Sequence, residues 1–357
     1  MRKLGSGPFL GFRKRGLTLF FLALSAPAPH LHFERVGPES GPLPEVITAV
    51  RQDRAGFLWI GSRRGLYLYD GYSFREFKND PGDPASISDH VIRAILEDTK
   101  GRLWIGTNAG GLERLDRATW TFEHFRHDAS DPASLTHDSV TTLTEGPDGA
   151  LWVGTQHGLN RLGPETRRFE RVNAGGSYVL ALHFDRGGRL WIATADGGLS
   201  RLDPGAAALT VFRHDAKDPA SISSDGVFEV VEDASGAIWV GTADGVDRWD
   251  GASGTFAHTG IRGVGAVAIA PEAGRLWVAT FGAGLLELDT ASGRAVAHAA
   301  DATRRDAVAS DRVAALARGA DGTLWVGTWG GGLQRLTPAA LDLAGASGRA
   351  RLPGPVR

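Results

Sequence analysis

One short motif recurs seven times along the chain and limits the folds that it can adopt. It reads Leu or Ile, Trp, Ile or Val, Gly or Ala, then Thr or Ser, and its copies stand about 44 residues apart on average. A repeat of this length is typical of stacked or ring-arranged modules rather than of one irregular core. The motif uses seven of the ten Trp residues of the chain, namely Trp59, Trp104, Trp152, Trp191, Trp239, Trp277 and Trp325.

Each repeat contains four short runs with the hydrophobic pattern of β-strands. In the second copy these runs cover residues 91–98, 102–107, 112–116 and 121–128, and Gly- or Asp-containing turns separate them. Such a unit forms one four-stranded antiparallel sheet, which cannot bury both faces alone. Copies arranged around an axis bury each other's faces. The sequence therefore predicts an all-β protein, a seven-bladed β-propeller of four-stranded antiparallel blades over residues 31–336.

The two ends of the repeat array complement each other. After the seventh Trp the chain offers no fourth, outer run, whereas Phe33–Val36 repeats the tetrapeptide of Phe169–Val172, an outer run of the third copy. We therefore expect Leu31–Val36 to complete the last blade. A ring closed in this way leaves no open sheet edge of the kind that aggregates.

The repeated residues are best explained by packing. A Trp at one fixed place in each sheet buries about 150–250 Å², so we expect the seven Trp and Phe33 to be structural, although stacking on sugars or bases is the alternative role. The Asp-x-x-Gly and Asp-Gly segments are expected to be hairpin turns, since none matches an EF-hand calcium loop. The recurring Asp-Pro-Ala-Ser loops are expected to aim the strand that follows them.

The N-terminus resembles an export signal. Basic residues precede a short apolar run at Leu17–Leu24, and a small-x-small pattern ends at Ala28. We predict a signal peptide over residues 1–28, with an uncleaved membrane anchor as the alternative, and a periplasmic location. Residues 337–357 are predicted to be a poorly ordered tail.

Composition excludes several kinds of function. The formal net charge of −2 argues against a general nucleic-acid or anionic-membrane binder, which needs a basic face. The absence of Cys excludes disulfides, thiolate catalysis and Cys-ligated zinc. No nucleophile elbow, zinc-protease helix or phosphate loop occurs in the sequence.

The loops between the second and third strands are the best candidates for a site. Their flanks repeat because packing requires it, while their tips vary, and all seven tips lie on one face of a propeller. They form a mixed polar and aromatic ring of the kind that binds small ligands, with solvated loop tips as the alternative. The ring consists of Arg63, Arg64, Asn108, Gln156, His157, Asp196, Asp244, Phe281 and Trp329.

The opening repeats, over residues 47–77 and 91–116, resemble the two-component regulator propeller repeat, as do the Asp-Pro-Ala-Ser loops. That resemblance implies the periplasmic sensor region of hybrid histidine kinases or diguanylate cyclases, which binds a small molecule or a glycan. Such sensors commonly carry more repeats, a following immunoglobulin-like domain and a kinase or cyclase region. We therefore expect either part of a split sensor or a stand-alone binding propeller, with a membrane histidine kinase or diguanylate cyclase as its partner.

Two other functions remain open at this stage. One is an enzyme similar to the seven-bladed streptogramin lyases, which use a metal and a general base near the axis, and here His157 with Asp196 or Asp244 would serve. The other is a scaffold for protein interactions. The favoured hypothesis is a non-catalytic binding module with no catalytic residues, no metal site and no cofactor.

Overall fold

A computed structural model describes residues 31–37 and 43–337. Every regular element in these ranges is a β-strand, and the strands form seven sheets of four antiparallel strands each. The predicted seven-bladed β-propeller is confirmed. The predicted signal peptide and the predicted tail lie outside the described residues, apart from Thr337.

The chain runs outwards through each blade, from the inner strand at the axis to the outer strand. Blade 1 comprises β2 (Ile47–Gln52), β3 (Leu58–Ser62), β4 (Leu66–Tyr69) and β5 (Phe74–Phe77). Blade 2 comprises β6 (Ile92–Glu97), β7 (Leu103–Thr107), β8 (Leu112–Asp116) and β9 (Thr121–Phe125). Blade 3 comprises β10 (Val140–Glu145), β11 (Leu151–Thr155), β12 (Gly158–Leu162) and β13 (Phe169–Val172).

Blades 4 to 6 repeat this order. Blade 4 comprises β14 (Val179–Phe184), β15 (Leu190–Thr194), β16 (Leu199–Leu202) and β17 (Thr210–Phe212). Blade 5 comprises β18 (Val227–Glu232), β19 (Ile238–Thr242), β20 (Gly245–Asp250) and β21 (Thr255–Arg262). Blade 6 comprises β22 (Ala266–Glu272), β23 (Arg275–Thr280), β24 (Leu285–Asp289) and β25 (Ala295–His298).

Blade 7 joins the two ends of the array. It comprises β26 (Val313–Arg318), β27 (Leu324–Thr328), β28 (Leu333–Leu336) and, as its outer strand, β1 (Glu34–Val36). Strand β1 pairs antiparallel with β28, and Glu34 accepts two hydrogen bonds from the Arg335 guanidinium, at 2.8 and 3.0 Å. The expected closure of the ring by the N-terminal strand is confirmed.

The hydrophobic core is divided among the joins between blades. Each motif Trp packs on the second strand of the following blade, so that Trp59 lies against Leu103 and Ile105. Trp325 does the same across the closing join, where it contacts Leu58 and Ile60 of blade 1. The indole rings therefore pack neighbouring sheets together around the whole ring, including the join between blade 7 and blade 1.

The Gly that follows the motif Trp by two positions in five of the seven blades lets neighbouring blades approach closely. A Cβ atom on Gly106 would lie 2.6 Å from Cγ1 of Val140, the first residue of the next inner strand. Any larger side chain there would push the two blades apart near the axis. This explains why the fourth position of the motif is occupied only by the small residues Gly and Ala.

Candidate ligand-binding face

The loops between second and third strands lie beside the segments that lead into the inner strands. The backbone N–H of Asn108 donates to the carbonyl of Val91 at 2.9 Å, and the N–H of Ala195 donates to the carbonyl of Tyr178 at 2.9 Å. The same contact occurs between Gln156 and Ser139. Both sets of loops therefore form one surface, which we call the loop face.

A hydroxyl group at the end of each second strand stiffens these loops. In blade 2, Oγ1 of Thr107 donates to the carbonyl of Gly111 and accepts from the N–H of Gly110. The equivalent hydroxyl makes the corresponding donor and acceptor contacts in the other six blades. The loop tips are thus held on rigid supports while their side chains remain free to vary. The seven hydroxyls belong to Ser62, Thr107, Thr155, Thr194, Thr242, Thr280 and Thr328.

Three of the predicted site residues come together with a fourth residue across blades 6, 7 and 1. The rings of Phe281 and Trp329 meet edge to face, with centroids 5.6 Å apart. The guanidinium carbon of Arg63 lies 5.4 Å from the Trp329 ring, and that of Arg312 lies 5.2 Å from the Phe281 ring. We call these four side chains the cation–aromatic row. Phe281 is 44% exposed, which is unusual for a large hydrophobic side chain.

A cavity of about 520 Å³ opens beside this row at blade 1. It shares Arg63 with the row and also holds Arg64, so two of the predicted residues line it. Its volume lies in the range of sites for small ligands, about 300–1,000 Å³. The lining residues are Leu43, Pro44, Glu45, Val46, Arg63, Arg64, Tyr67, Glu76 and Lys78.

Glu76 is one of the two carboxylates in the cavity wall. Burial acts to raise its pKa, but hydrogen bonds from Lys78 and from the Tyr67 hydroxyl outweigh burial, so that the pKa is lowered. Burial and the neighbouring Glu76 raise the pKa of Tyr67. Glu76 is therefore ionised at neutral pH and is already occupied by Tyr67 and Lys78.

Arg63 and Arg64 carry exposed guanidinium groups at the edge of the cavity. Within residues 31–37 and 43–337, neither guanidinium forms an ion pair, although Arg64 lies close enough to Glu76 to lower its pKa. Arg262, by contrast, pairs with Asp244 at 2.9 Å. Two exposed guanidinium groups are therefore available to an anion at the edge of the cavity.

The remaining predicted residues do not join this cluster. Asn108 accepts a hydrogen bond from Arg93 at 3.2 Å, and Asp196 accepts one from Ser177 at 3.4 Å. Gln156 lies on the neighbouring loop tip of blade 3, where its N–H bonds Ser139. The nine predicted residues thus occupy one face but divide into separate local groups.

His157 has another His as its neighbour. Its ring lies 4.5 Å from the ring of His137, and burial, followed by electrostatic repulsion between the two rings, lowers the pKa of His137. Asp244, which was considered as its acidic partner in an enzyme, is bound to Arg262 instead. In the described ranges no group of three or more His, Asp or Glu side chains is arranged to hold a metal ion.

Sequence reasoning missed four residues that shape this face. Arg312, Tyr67 and Lys78 lie outside the loop tips. The packing of blade 7 on blade 6 brings Arg312 to Phe281, and the fold of blade 1 brings Tyr67 and Lys78 to the cavity that Arg64 lines. Tyr178 of blade 4 is the fourth, since its hydroxyl accepts a 2.8 Å hydrogen bond from Arg93 of blade 2. A sequence signal existed for Tyr178 and Arg312, because each directly precedes an inner strand.

The repeats match a known family model in three segments of the chain. The model of the two-component regulator propeller family matches residues 86–109, 134–157 and 308–330. Three segments of the chain therefore match the two-component regulator propeller repeat. The matched segments lie in blades 2, 3 and 7. Each includes an inner strand, the motif Trp and the predicted site residue of the loop tip that follows it.

The chain matches part of a histidine kinase in sequence, and its fold is similar to that of sensor domains and of lyases. Histidine kinase P4 of Formosa agariphila is 37% identical over 70 residues, which is 19% of this chain and 5% of that protein. The fold is similar to that of a protein described as the extracellular domain of a hybrid two-component system of B. thetaiotaomicron, with a TM-score of 0.76 at 24% identity over 86% of this chain and 42% of the other. It is also similar to virginiamycin B lyase from Staphylococcus aureus, with a TM-score of 0.65 at 15% identity over 85% and 98% of the two chains.

The share of each compared protein that resembles this chain differs from case to case. The propeller corresponds to less than half of the extracellular sensor domain and to a small fraction of the histidine kinase. The similarity to the lyase is a similarity of fold. Within the described residues there is no helix of the length and apolarity that crossing a membrane requires.

Proposed function

We propose that this propeller is the ligand-binding module of an exported two-component-type sensor and that it is not itself a catalyst. The cation–aromatic row and its adjoining cavity carry the proposal, because they combine exposed rings, unpaired guanidinium groups and an enclosed volume at one point of the loop face. The ligand is a small molecule or a sugar. The propeller repeats, and the relatives among histidine kinases and extracellular sensor domains, support the sensory role.

The partner in this proposal is a membrane histidine kinase or a diguanylate cyclase, and the location is periplasmic. The basic and apolar start of the sequence supports export. Ligand bound across blades 6, 7 and 1 would contact blade 7, in which the N-terminal strand pairs with β28, together with the blades on both sides of it. Binding there stabilises the closed ring, since a ligand that binds only the folded form adds to its stability.

A thermal-shift screen tests the proposal. The purified chain is screened against sugars, amino acids and small organic acids, together with a triple variant, Arg63→Ala, Arg64→Ala and Trp329→Ala. We expect ligands that raise the melting temperature of the wild type and lose this effect in the triple variant. The absence of any ligand, or ligands that stabilise the triple variant equally, would contradict the proposal.

A matched control guards against general destabilisation. Tyr72 is 96% exposed and lies in the turn between the third and outer strands of blade 1, on the face opposite the loop face. Tyr72→Ala should respond to ligand as the wild type does. The triple variant should keep a cooperative transition, because the three side chains are exposed or partly exposed.

A further inference from the structure

The charge around the cation–aromatic row has one dominant sign. Four cationic side chains, Arg63, Arg64, Lys78 and Arg312, surround the row and the cavity, against the three carboxylates of Glu45, Glu76 and Asp311. This local excess of positive charge occurs on a chain whose net charge is −2. A local field of this kind raises the concentration of anions at the site.

Two of the nearby carboxylates, Glu76 and Asp311, already accept hydrogen bonds from other groups. Glu76 is bound by Lys78 and Tyr67. Asp311, next to Arg312 in the chain, accepts the N–H of Ala300 at 2.7 Å. Arg312, like Arg63 and Arg64, makes no ion pair within the described residues, while its guanidinium rests on Phe281. Three guanidinium groups are therefore without a protein counter-ion around two partly exposed rings.

The rings define the second requirement for a ligand. Phe281 and Trp329 present exposed aromatic surface, to which a flat apolar face carrying C–H groups can bind. The guanidinium groups prefer carboxylate or sulfate, which they bind through paired N–H donors. A sugar ring that carries an acidic group offers both features at the distance of one or two bonds.

We propose that the ligand of this site is an acidic saccharide, with its ring on Trp329 or Phe281 and its carboxylate or sulfate bound by Arg63 and Arg64. The inference rests on the proposed function, since it names the ligand class of the same site. Lys78 forms an ion pair with Glu76 and is therefore less available to the ligand. Arg312 extends the positive surface towards blade 6. A longer acidic chain would therefore run along the row, from the cavity towards Arg312.

Isothermal titration calorimetry on the full chain tests this ligand class with four oligosaccharides of similar length. These are tetragalacturonic acid, its neutral methyl ester, a heparin-derived tetrasaccharide and neutral maltotetraose. We expect at least one acidic sugar to bind and the neutral sugars to bind about tenfold or more weakly. Binding should weaken as the salt concentration rises. Because both acidic sugars carry carboxylates and only the heparin fragment carries sulfates, binding of the heparin fragment without binding of tetragalacturonic acid would indicate that sulfate is required.

Two variants locate the contact. Arg64→Gln should weaken the acidic sugar about tenfold or more, because a charge-assisted contact is lost. Arg213→Gln is the matched control, since Arg213 follows the outer strand of blade 4 towards the same face and already faces Asp225 at 3.7 Å. It should leave the affinity unchanged.

The failure of this inference differs from that of the proposed function. Equal binding of galacturonate and its ester, or full affinity in Arg64→Gln, would overturn the acidic class. If Trp329→Ala still abolished such binding, the site itself would stand. If none of the four sugars binds, the acidic saccharide is excluded, and the thermal-shift screen then decides separately whether the row binds another ligand.

Discussion

The indole Nε1 of Trp104 donates a 2.8 Å hydrogen bond to Oδ2 of Asp98, the residue that opens the turn six positions earlier. Oδ1 of the same carboxylate accepts the backbone N–H groups of Lys100 and Arg102. Burial acts to raise the pKa of Asp98, but the bonds from Trp104 and Arg102 outweigh it and lower the pKa. One carboxylate thus closes the turn and satisfies the buried Trp.

This arrangement divides the blades into three kinds. Blades 1, 2, 4 and 5 have the Asp–Trp bond, at 2.7 to 2.9 Å. In blade 6, Glu272 takes the place of Asp and accepts from Trp277 at 2.9 Å. In blades 3 and 7 a Gly stands at the position of Asp, and Nε1 of Trp152 and of Trp325 has no partner within the described residues.

The variant Asp98→Ala should lower the free energy of unfolding by about 2–4 kcal/mol, because it leaves the Trp104 N–H buried and unbonded and opens the turn. Urea denaturation measures the change. Asp70→Ala is the control, since Asp70 accepts only backbone and Ser73 bonds in an exposed turn. A loss for Asp70→Ala as large as that for Asp98→Ala would contradict the role of the indole bond.

Replacing Trp by Phe should cost more in a blade with the acid than in one without it. Trp104→Phe removes a hydrogen bond to Asp98, whereas Trp152→Phe removes a buried N–H that has no acceptor. We expect Trp104→Phe to be the more destabilising by about 1–2 kcal/mol. The two variants lose the same atoms, so chemical denaturation of both isolates the hydrogen bond. Equal losses would show that the bond contributes nothing.

Ring closure predicts that Phe33 is as important as its internal counterpart. Phe33 is 2% exposed and packs with Trp277, Val308 and Leu336, while Phe169 of the identical tetrapeptide is 5% exposed in blade 3. Phe33→Ala and Phe169→Ala should each lower the free energy of unfolding by about 3–5 kcal/mol. A much smaller loss for Phe33→Ala, measured by the same denaturation, would show that the N-terminal strand does not hold the ring closed.

Glu229 predicts a dependence of stability on pH. It lies on the inner strand of blade 5 opposite Gly241, where the other blades have Ala or Thr, and burial raises its pKa to about 7. The unfolded chain releases this proton near pH 4.3. Between these values Glu229 holds more proton in the folded than in the unfolded chain, so its contribution to the free energy of unfolding falls as pH rises and levels off above about pH 7.

The variant Glu229→Gln should therefore remove that fall. Compared with the wild type, it should be more stable by about 1–3 kcal/mol at about pH 8 and similar at about pH 4. Urea denaturation at both values measures this, with Glu170→Gln as the exposed control. A stability difference between Glu229→Gln and the wild type that is the same at both pH values would contradict the raised pKa.

The sequence alone determined the number of blades, the order of strands and the closure by residues 31–36, because each depends on a pattern that repeats within the chain. It also placed the variable loop tips on one face, since strand polarity alternates from turn to turn. Only the tertiary structure brought Arg312 of blade 7 to Phe281 of blade 6, and Trp329 to Arg63 of blade 1. Contacts between blades depend on how side chains lean across a join, and no periodicity encodes that direction.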